Sequence, residues 1–149
     1  MQLPPIHAHP DVAAVRALLA AAGLPVADLT ASSLADFWGC RAGEELAGAI
    51  GLERYGAVAL LRSLAVAPDW QGRGLGAALL AHAERAARQR GIAALYLLTA
   101  TAAAFFARRG YVRIPREAAP PVLQQTAEFA ALCPASAVCL TKPLDAPPA

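Results

Sequence analysis

The chain has 149 residues, of which 57% are hydrophobic and 16% charged, and its formal net charge is +2. This length predicts one domain with a sizeable core, and the composition excludes a disordered chain. The charge is too small to argue for a nucleic-acid partner. No apolar run reaches the roughly 18 residues of a spanning helix, and residues 1–5 lack a secretory signal, so we expect no membrane partner.

The cysteine count limits the metal and redox chemistry of the chain. The three cysteines are Cys40, Cys133 and Cys139. Because their number is odd and no C-x-x-C pair occurs, neither a disulfide framework nor a zinc site is supported. The sequence therefore predicts a reduced, cytoplasmic protein without a metal.

In chain order, a short strand is predicted to close at Ile6-His7, and a helix to begin around Pro10-Asp11 and end at Gly23. Residues 24–35 are expected to be loop with at most one helical turn. An antiparallel meander of three strands follows. Those strands are predicted over residues 37–41, 46–54 and 57–67, joined by turns at Gly43-Glu44 and Tyr55-Gly56.

A glycine-punctuated loop follows the third meander strand and leads directly into a helix predicted over residues 74–90. Glycines at 72, 74 and 76 allow the backbone to approach a ligand closely, and the first N–H groups of a helix lack internal partners. Strand, glycine loop and helix start together make an anion cradle, which we interpret as a pyrophosphate site. A P-loop would have Lys-Ser/Thr after its last glycine, where this chain has Ala77-Ala78. A dinucleotide-binding motif has a different glycine spacing and an acidic residue at the end of the next strand, where this chain has Thr99.

The remaining elements alternate strands with short helices. A wholly apolar strand over residues 94–98 is expected to be buried on both faces and to lie parallel to the third meander strand. Helices are predicted over residues 102–109 and 122–132, strands over 111–114 and 137–142, and a flexible tail over 143–149. The order of elements predicts an α/β fold in the broad sense, which includes α+β folds with antiparallel strands.

The loop Gln71-x-x-Gly74-x-Gly76, after a strand that ends L-x-V-x-P, resembles the acyl-CoA loop of the GNAT superfamily of N-acetyltransferases. The order of elements and F-F-x-R-x-G-Y at 105–111 agree with that resemblance. It implies a single domain over 1–149 with the GNAT fold: a mixed central sheet, an N-terminal antiparallel meander, and parallel strands around the CoA helix. It also implies acetyl-CoA as co-substrate.

The resemblance assigns a set of residues to acetyl-CoA. Backbone groups of one strand segment would pair with pantetheine and the acetyl carbonyl, and loop N–H groups would hold the pyrophosphate. The cofactor-binding residues so implied are Leu64, Ala65, Val66, Gln71, Gly72, Arg73, Gly74, Leu75, Gly76, Thr99, Phe105 and Phe106.

One position departs from the superfamily pattern. Many GNAT enzymes carry tyrosine where this chain has Phe106, and that tyrosine protonates the leaving CoA thiolate. Phe106 cannot donate a proton. The thiolate could leave unprotonated or take its proton from water, because a thiol pKa near 8.5 makes it a tolerable leaving group. Tyr55, Tyr96 or Tyr111 is a substitute only if the fold brings it to the sulfur.

A narrower resemblance rests on four motifs: G-L-E-R-Y-G (51–56), L-L-R-S-L-A-V (60–66), F-F-A-R-R-G-Y (105–111) and L-C-P-A-S-A-V (132–138). They resemble small GNAT proteins associated with arsenic resistance, which are similar to the acetyltransferase domain of N-acetylglutamate synthase. The association with arsenic can also reflect genetic neighbourhood.

Four residues are candidates for the chemistry of the acceptor. Glu53 is the candidate general base, with a solvated hairpin glutamate as the alternative. Arg62 and Ser63 lie in an apolar strand, where a charge is costly unless paired. Arg62 therefore either receives an anionic substrate or forms an ion pair with Glu53. Ser136 is a candidate substrate-binding residue, and nearby Cys133 is more readily a small buried hydrophobe than an arsenical ligand.

The resemblance to the GNAT superfamily implies an N-acetyltransferase that transfers acetyl directly to a small-molecule amine. An amino acid, or an amino-acid-like toxicant containing arsenic or phosphorus, is the favoured acceptor. The alternatives are a protein N-terminal or lysine acetyltransferase and a catalytically silent CoA-binding sensor or partner module. Homodimers are common in the superfamily, and the sequence leaves open whether this chain forms one.

Overall fold

A computed structural model of the chain describes residues 3–30 and 36–144. These residues contain seven strands: β1 (Ile6–Ala8), β2 (Phe37–Ala42), β3 (Glu45–Tyr55), β4 (Val58–Val66), β5 (Ala94–Thr99), β6 (Val112–Ile114) and β7 (Val138–Pro143). The α-helices are α1 (Val12–Ala21), α2 (Leu75–Gln89), α3 (Ala103–Ala107) and α4 (Pro121–Gln124). No helix of the described ranges has the length and hydropathy needed to cross a bilayer.

The seven strands form one mixed sheet in the order β1-β2-β3-β4-β5-β7-β6. Strands β1 and β2 pair antiparallel, as do β2 and β3. Strand β5 lies parallel to β4, with Val58–Leu60 in register with Ala94–Tyr96. Strand β7 pairs antiparallel with both β5 and β6. The predicted α/β fold with a GNAT-type mixed sheet is therefore confirmed, including the parallel crossover through α2.

The chain divides into two compact units, and the division falls within β3, β4 and α2. The first unit is Met1–Leu52 with Arg62–Ala86, and the second is Glu53–Leu61 with Ala87–Ala149. The expectation of one functional domain over 1–149 stays a prediction.

In the first unit, helices α1 and α2 bury their apolar faces. Val15 and Leu19 of α1 pack in one cluster with Phe37 of β2. The side chains of Leu79 and Phe37 approach β3 closely because the residues there are glycines. A Cβ at Gly48 would lie 2.8 Å from Leu79 Cδ1, and one at Gly51 would lie 2.3 Å from the Phe37 ring. At both positions only hydrogen fits beside the neighbouring side chain, so the sequence allows the core to close.

The second unit is built around a cluster of Leu60, Ala119, Leu123, Phe129 and Cys139. These residues come from β4, from the segment between β6 and β7, and from β7. That segment therefore covers the sheet rather than extending away from it. Within β5, Leu95 and Leu97 are buried whereas Ala94, Tyr96 and Leu98 are half-buried, so the expected burial of both faces is only partly met.

Two other predictions differ from the structure. The helix predicted over residues 122–132 is wrong: α4 ends at Gln124, and a π-helix runs over Glu128–Leu132. Thr126 explains the break, because its hydroxyl donates to Leu123 O at 2.6 Å and competes with the helical bonds. Helix α1 begins at Val12 rather than around Pro10-Asp11, because Asp11 is its N-cap and accepts from Ala14 N. The loop predicted over 24–35 and the tail over 143–149 fall partly outside the described residues.

Candidate active site

The end of β4 carries a backbone irregularity at Ser63. Its φ is +64°, the left-handed region that non-glycine residues rarely occupy within a strand. Such a conformation costs about 1–2 kcal/mol and persists only where the surroundings hold it. Here the buried Ser63 Oγ accepts a hydrogen bond of 3.0 Å from Arg62 Nε. This contact holds the residue immediately before Leu64–Val66, the segment predicted to bind pantetheine.

Arg62 forms a two-pronged ion pair with Asp28. Its Nη1 lies 2.5 Å from Asp28 Oδ2 and its Nη2 lies 3.0 Å from Oδ1. The Arg62 side chain is 1% exposed and that of Asp28 is 26% exposed. Of the two roles left open by the sequence, the structure supports an ion pair, and the partner that it shows is Asp28. The substrate role of Arg62 stays a prediction.

The charge of Arg62 changes the acidity of Asp28. Partial burial raises the pKa of Asp28, but the hydrogen bonds and the positive charge of Arg62, together with a backbone hydrogen bond, lower it more. Its net pKa therefore lies below the ordinary value of 3.8, and the carboxylate is ionised at neutral pH. The two charges compensate each other within the first unit.

The glycine loop continues from β4 as an exposed turn. A 3₁₀ turn, Pro68–Trp70, precedes it, and Gln71 Nε2 donates to Val66 O at 3.0 Å. Gly72 and Gly74 have φ values of +78° and +86°. No atom lies within 4 Å of a Cβ built at either position. The loop thus presents bare backbone to open space, which is the arrangement a phosphate group requires.

Helix α2 begins where the loop ends. Its first hydrogen bond runs from Ala78 N–H to Gly74 O at 3.1 Å, so the N–H groups of Leu75, Gly76 and Ala77 come before the helical ladder. The Leu75 side chain is buried, and only its backbone can serve a ligand. Arg73 is exposed and its guanidinium lies 4.9 Å from the centre of the Trp70 ring. These features make the loop a feasible anion site.

The predicted cofactor residues of the second unit lie on β5 and α3. Thr99 Oγ1 accepts from Ala102 N at 2.9 Å and so fixes the turn before α3. Phe106 is buried, and its ring makes edge contacts with Phe105 and Tyr111, at centroid distances of 5.1 and 5.4 Å. This packing gives Phe106 a structural role and offers no proton at its position.

The candidate base Glu53 is hydrogen-bonded to a tyrosine of the same strand. Tyr55 donates to Glu53 Oε1 at 2.6 Å, and the two side chains share a face because they are two residues apart on β3. Tyr55 also packs against the core cluster of the second unit. Glu53 is only half-buried, so the alternative of a solvated hairpin glutamate is not tested by this contact. Its catalytic role stays a prediction.

A cleft of about 620 Å³ lies in the second unit between β6 and the start of β7. Ser136, predicted to bind substrate, lines it together with Arg113, Arg116 and Glu117. Ser136 is exposed and lies in a turn closed by a hydrogen bond from Ala137 N to Pro134 O. Its predicted role is compatible with this position.

The cysteines are buried or hydrogen-bonded rather than clustered. Burial raises the pKa of both Cys40 and Cys139 to about 11, and for Cys139 the charge of Arg116 acts in the opposite direction. Cys133 Sγ lies 3.5 Å from Glu128 Oε1. Within residues 3–30 and 36–144, no group of three or more His, Cys, Asp or Glu side chains is suited to hold a metal ion.

Comparison with known families decides the class. The profile of the acetyltransferase (GNAT) domain matches residues 33–113, which is more than half of the chain. The chain belongs to the GNAT acetyltransferase family. The matched stretch is therefore an acetyltransferase domain of the GNAT type. No curated protein matches the chain.

Solved structures agree with the fold. The N-acetylglutamate synthase of Neisseria gonorrhoeae, complexed with coenzyme A and N-acetyl-glutamate, superposes with a TM-score of 0.83 at 22% identity. The match covers 97% of this chain and 36% of that one, so this chain spans about a third of the synthase. A Mycobacterium tuberculosis protein complexed with CoA has a TM-score of 0.79 at 19% identity, and the match covers 95% of this chain and 100% of that one. The ribosomal-protein-S18-alanine N-acetyltransferase of Escherichia coli has a TM-score of 0.69 at 19% identity, and the match covers 97% of this chain and 96% of that one.

Three features of the candidate site were not predicted from the sequence. Asp28 lies in a loop and has no periodic signal; the sequence offered Glu53, not Asp28, as the carboxylate of an Arg62 ion pair. The Tyr55 contact could have been predicted, because residues i and i+2 of a strand share a face. Arg113 and Arg116 are visible as an arginine cluster, but the cleft that they line exists only once β6 and β7 pair.

Proposed function

We propose that the chain transfers the acetyl group of acetyl-CoA directly to the amine of a small amino acid or an amino-acid-like toxicant that contains arsenic or phosphorus. The observation that carries the transferase part is the Gln71–Gly76 loop at the start of α2, within the stretch that matches the family. The acceptor class rests on the four motifs similar to the arsenic-resistance branch. The neighbour solved with N-acetyl-glutamate is compatible with an amino acid acceptor.

The residues of the first unit fit the co-substrate. The open space beside Gly72 and Gly74 and the N–H groups of Leu75 and Gly76 would hold the pyrophosphate, and the backbone of Leu64–Val66 would align the pantetheine. Gln71 holds Val66 O, and this contact orients the peptide next to the proposed carbonyl donor, Val66 N–H. When bound, acetyl-CoA supplies the thioester under attack and the thiolate leaving group.

Proton transfer completes the proposal. The amine nitrogen bonds to the thioester carbonyl carbon as the carbon–sulfur bond breaks, and the proton lost by the amine passes to Glu53. Tyr55 holds the Glu53 carboxylate through one oxygen, so the other oxygen can accept that proton. Phe106 has no dissociable proton, so the thiolate leaves unprotonated or is protonated by water.

A second candidate is a CoA-binding sensor without turnover. This candidate is favoured by Phe106, which is buried at the position of the usual general acid and has no proton to donate. A homodimer and a cytoplasmic location stay predictions, as does the rival acceptor class of protein N-termini or lysines.

The test is the release of free thiol from acetyl-CoA by the purified protein with a panel of amines. The panel contains glutamate, aspartate, phosphinothricin, an arsenic-bearing amino acid analogue, a polyamine and a lysine peptide. We expect turnover with an amino-acid-like member. The matched Glu53→Gln variant should bind acetyl-CoA with unchanged Kd and release thiol about 100-fold more slowly. Binding of acetyl-CoA without thiol release on any member would instead support the sensor.

A further inference from the structure

We propose that the β6–β7 cleft binds a carboxylate of the acceptor and that Arg113 is the residue that recognises it. This inference rests on the proposed function, because it identifies where an amino-acid-like acceptor places its acid group. The cleft has about 620 Å³, within the size range of small-molecule sites. Two arginines and one glutamate, Glu117, line it, so the lining carries a net positive charge.

Arg113 is the arginine of the cleft that is available to a ligand. It is exposed on β6, opposite Leu140 of β7. Within the part of the chain that the structure describes, no hydrogen bond or ion pair engages its guanidinium, whereas Arg62 is buried against Asp28. A guanidinium can bind a carboxylate through two parallel hydrogen bonds, and this geometry discriminates strongly against an uncharged group.

Arg116 has a different task, which is to hold the wall of the cleft. Its Nη1 donates to Pro134 O at 2.9 Å and its Nη2 donates to Phe129 O at 3.0 Å. Pro134 O also accepts from Ala137 N at 3.0 Å. Arg116 thereby holds the turn that carries Ser136, an exposed residue of the cleft lining. The proposal assigns the Ser136 hydroxyl as a second donor to the same carboxylate.

The position of the cleft within the second unit connects it to the reaction. Its lining includes Val138 and Cys139, which are in register with Thr99 and Leu98 at the carboxyl end of β5. Thr99 is one of the residues that the family resemblance assigns to the co-substrate. A carboxylate in the cleft would therefore be held on the side of the sheet end that carries Thr99.

The experiment measures KM for L-glutamate and for n-butylamine, an amine with no carboxylate, in the wild type and in Arg113→Gln. We expect the substitution to raise KM for L-glutamate about 10- to 100-fold, the effect of losing a charged hydrogen bond. KM for acetyl-CoA and for n-butylamine should not change. Arg113→Lys keeps the charge but not the planar guanidinium, so its KM for L-glutamate should lie between those of the wild type and Arg113→Gln. The matched control is Arg85→Gln, which removes an exposed charge from α2 and should leave all three constants unchanged.

A binding titration separates this inference from the proposed function. L-Glutamate is titrated into the protein saturated with CoA, which gives a complex that cannot react. If binding weakens in Arg113→Gln but not in Arg85→Gln, the inference stands even where no thiol is released and the proposed function fails. If L-glutamate does not bind, or binds equally to both variants, the inference is overturned even where turnover is observed.

Discussion

At the scale of single residues, the charge inside β4 is explained by a partner far away in the sequence. A guanidinium that is 1% exposed is costly unless a carboxylate meets it, and Asp28 does so through both oxygens. The sequence could predict the need for such a carboxylate but not its identity, because the two positions are joined only by the tertiary fold. Arg62 in turn donates a hydrogen bond to the side chain of Ser63, whose backbone is in the left-handed conformation.

Removing that carboxylate tests the pair. Asp28→Asn should lower the free energy of unfolding at pH 7 by about 3 kcal/mol, because a buried charge loses its partner. The folded pKa of Asp28 is depressed below 3.8, so its contribution to stability is present above that pH and is lost as the pH falls through the folded pKa. The difference from wild type should therefore shrink on strong acidification.

Urea unfolding at several pH values measures this difference. The control is Asp69→Asn, since Asp69 is exposed in the 3₁₀ turn before the glycine loop. Equal stability of Asp28→Asn and wild type at pH 7, or a difference that grows as the pH falls, would contradict the assigned pairing.

At the scale of elements, the loop before α2 was predictable whereas the segment after β6 was not. Glycine spacing specifies a backbone conformation directly, and Gly72 and Gly74 have the positive φ values that glycine favours. The segment between β6 and β7 reads as one helix, but Thr126 interrupts it and a π-helix follows. Such interruptions depend on local hydrogen-bond competition, which apolar periodicity does not report.

Alanine at Gly74 separates backbone strain from ligand binding. Gly74→Ala should destabilise the fold by about 1 kcal/mol, because φ is +86° there, and should weaken CoA binding at least tenfold by placing a methyl group in the cradle. Gly56→Ala is the matched control, since Gly56 has φ of +64° and equally open surroundings in the β3–β4 turn. Calorimetry with CoA should show normal affinity for Gly56→Ala. Equal affinities of the two variants would remove the loop from the CoA site.

At the scale of the whole molecule, the order of elements was enough to predict the fold class. The meander, the parallel crossover and the mixed sheet all follow from local patterns and the handedness of β-α-β connections. The insertion of β7 between β5 and β6 was not predicted, because pairing between distant strands leaves no local pattern. The β6–β7 cleft depends on that insertion, and for this reason its arginines could not be assigned a role from the sequence.

The central claim is direct acetyl transfer within a complex of protein, acetyl-CoA and amine. Initial rates measured while acetyl-CoA and L-glutamate are both varied test this claim most directly. Intersecting double-reciprocal lines are expected, because both substrates must be bound before the acetyl group moves. Parallel lines would indicate an acetylated form of the protein. No rate above the uncatalysed background with any amine of the panel, although acetyl-CoA is bound, would indicate a sensor; either result would contradict the account.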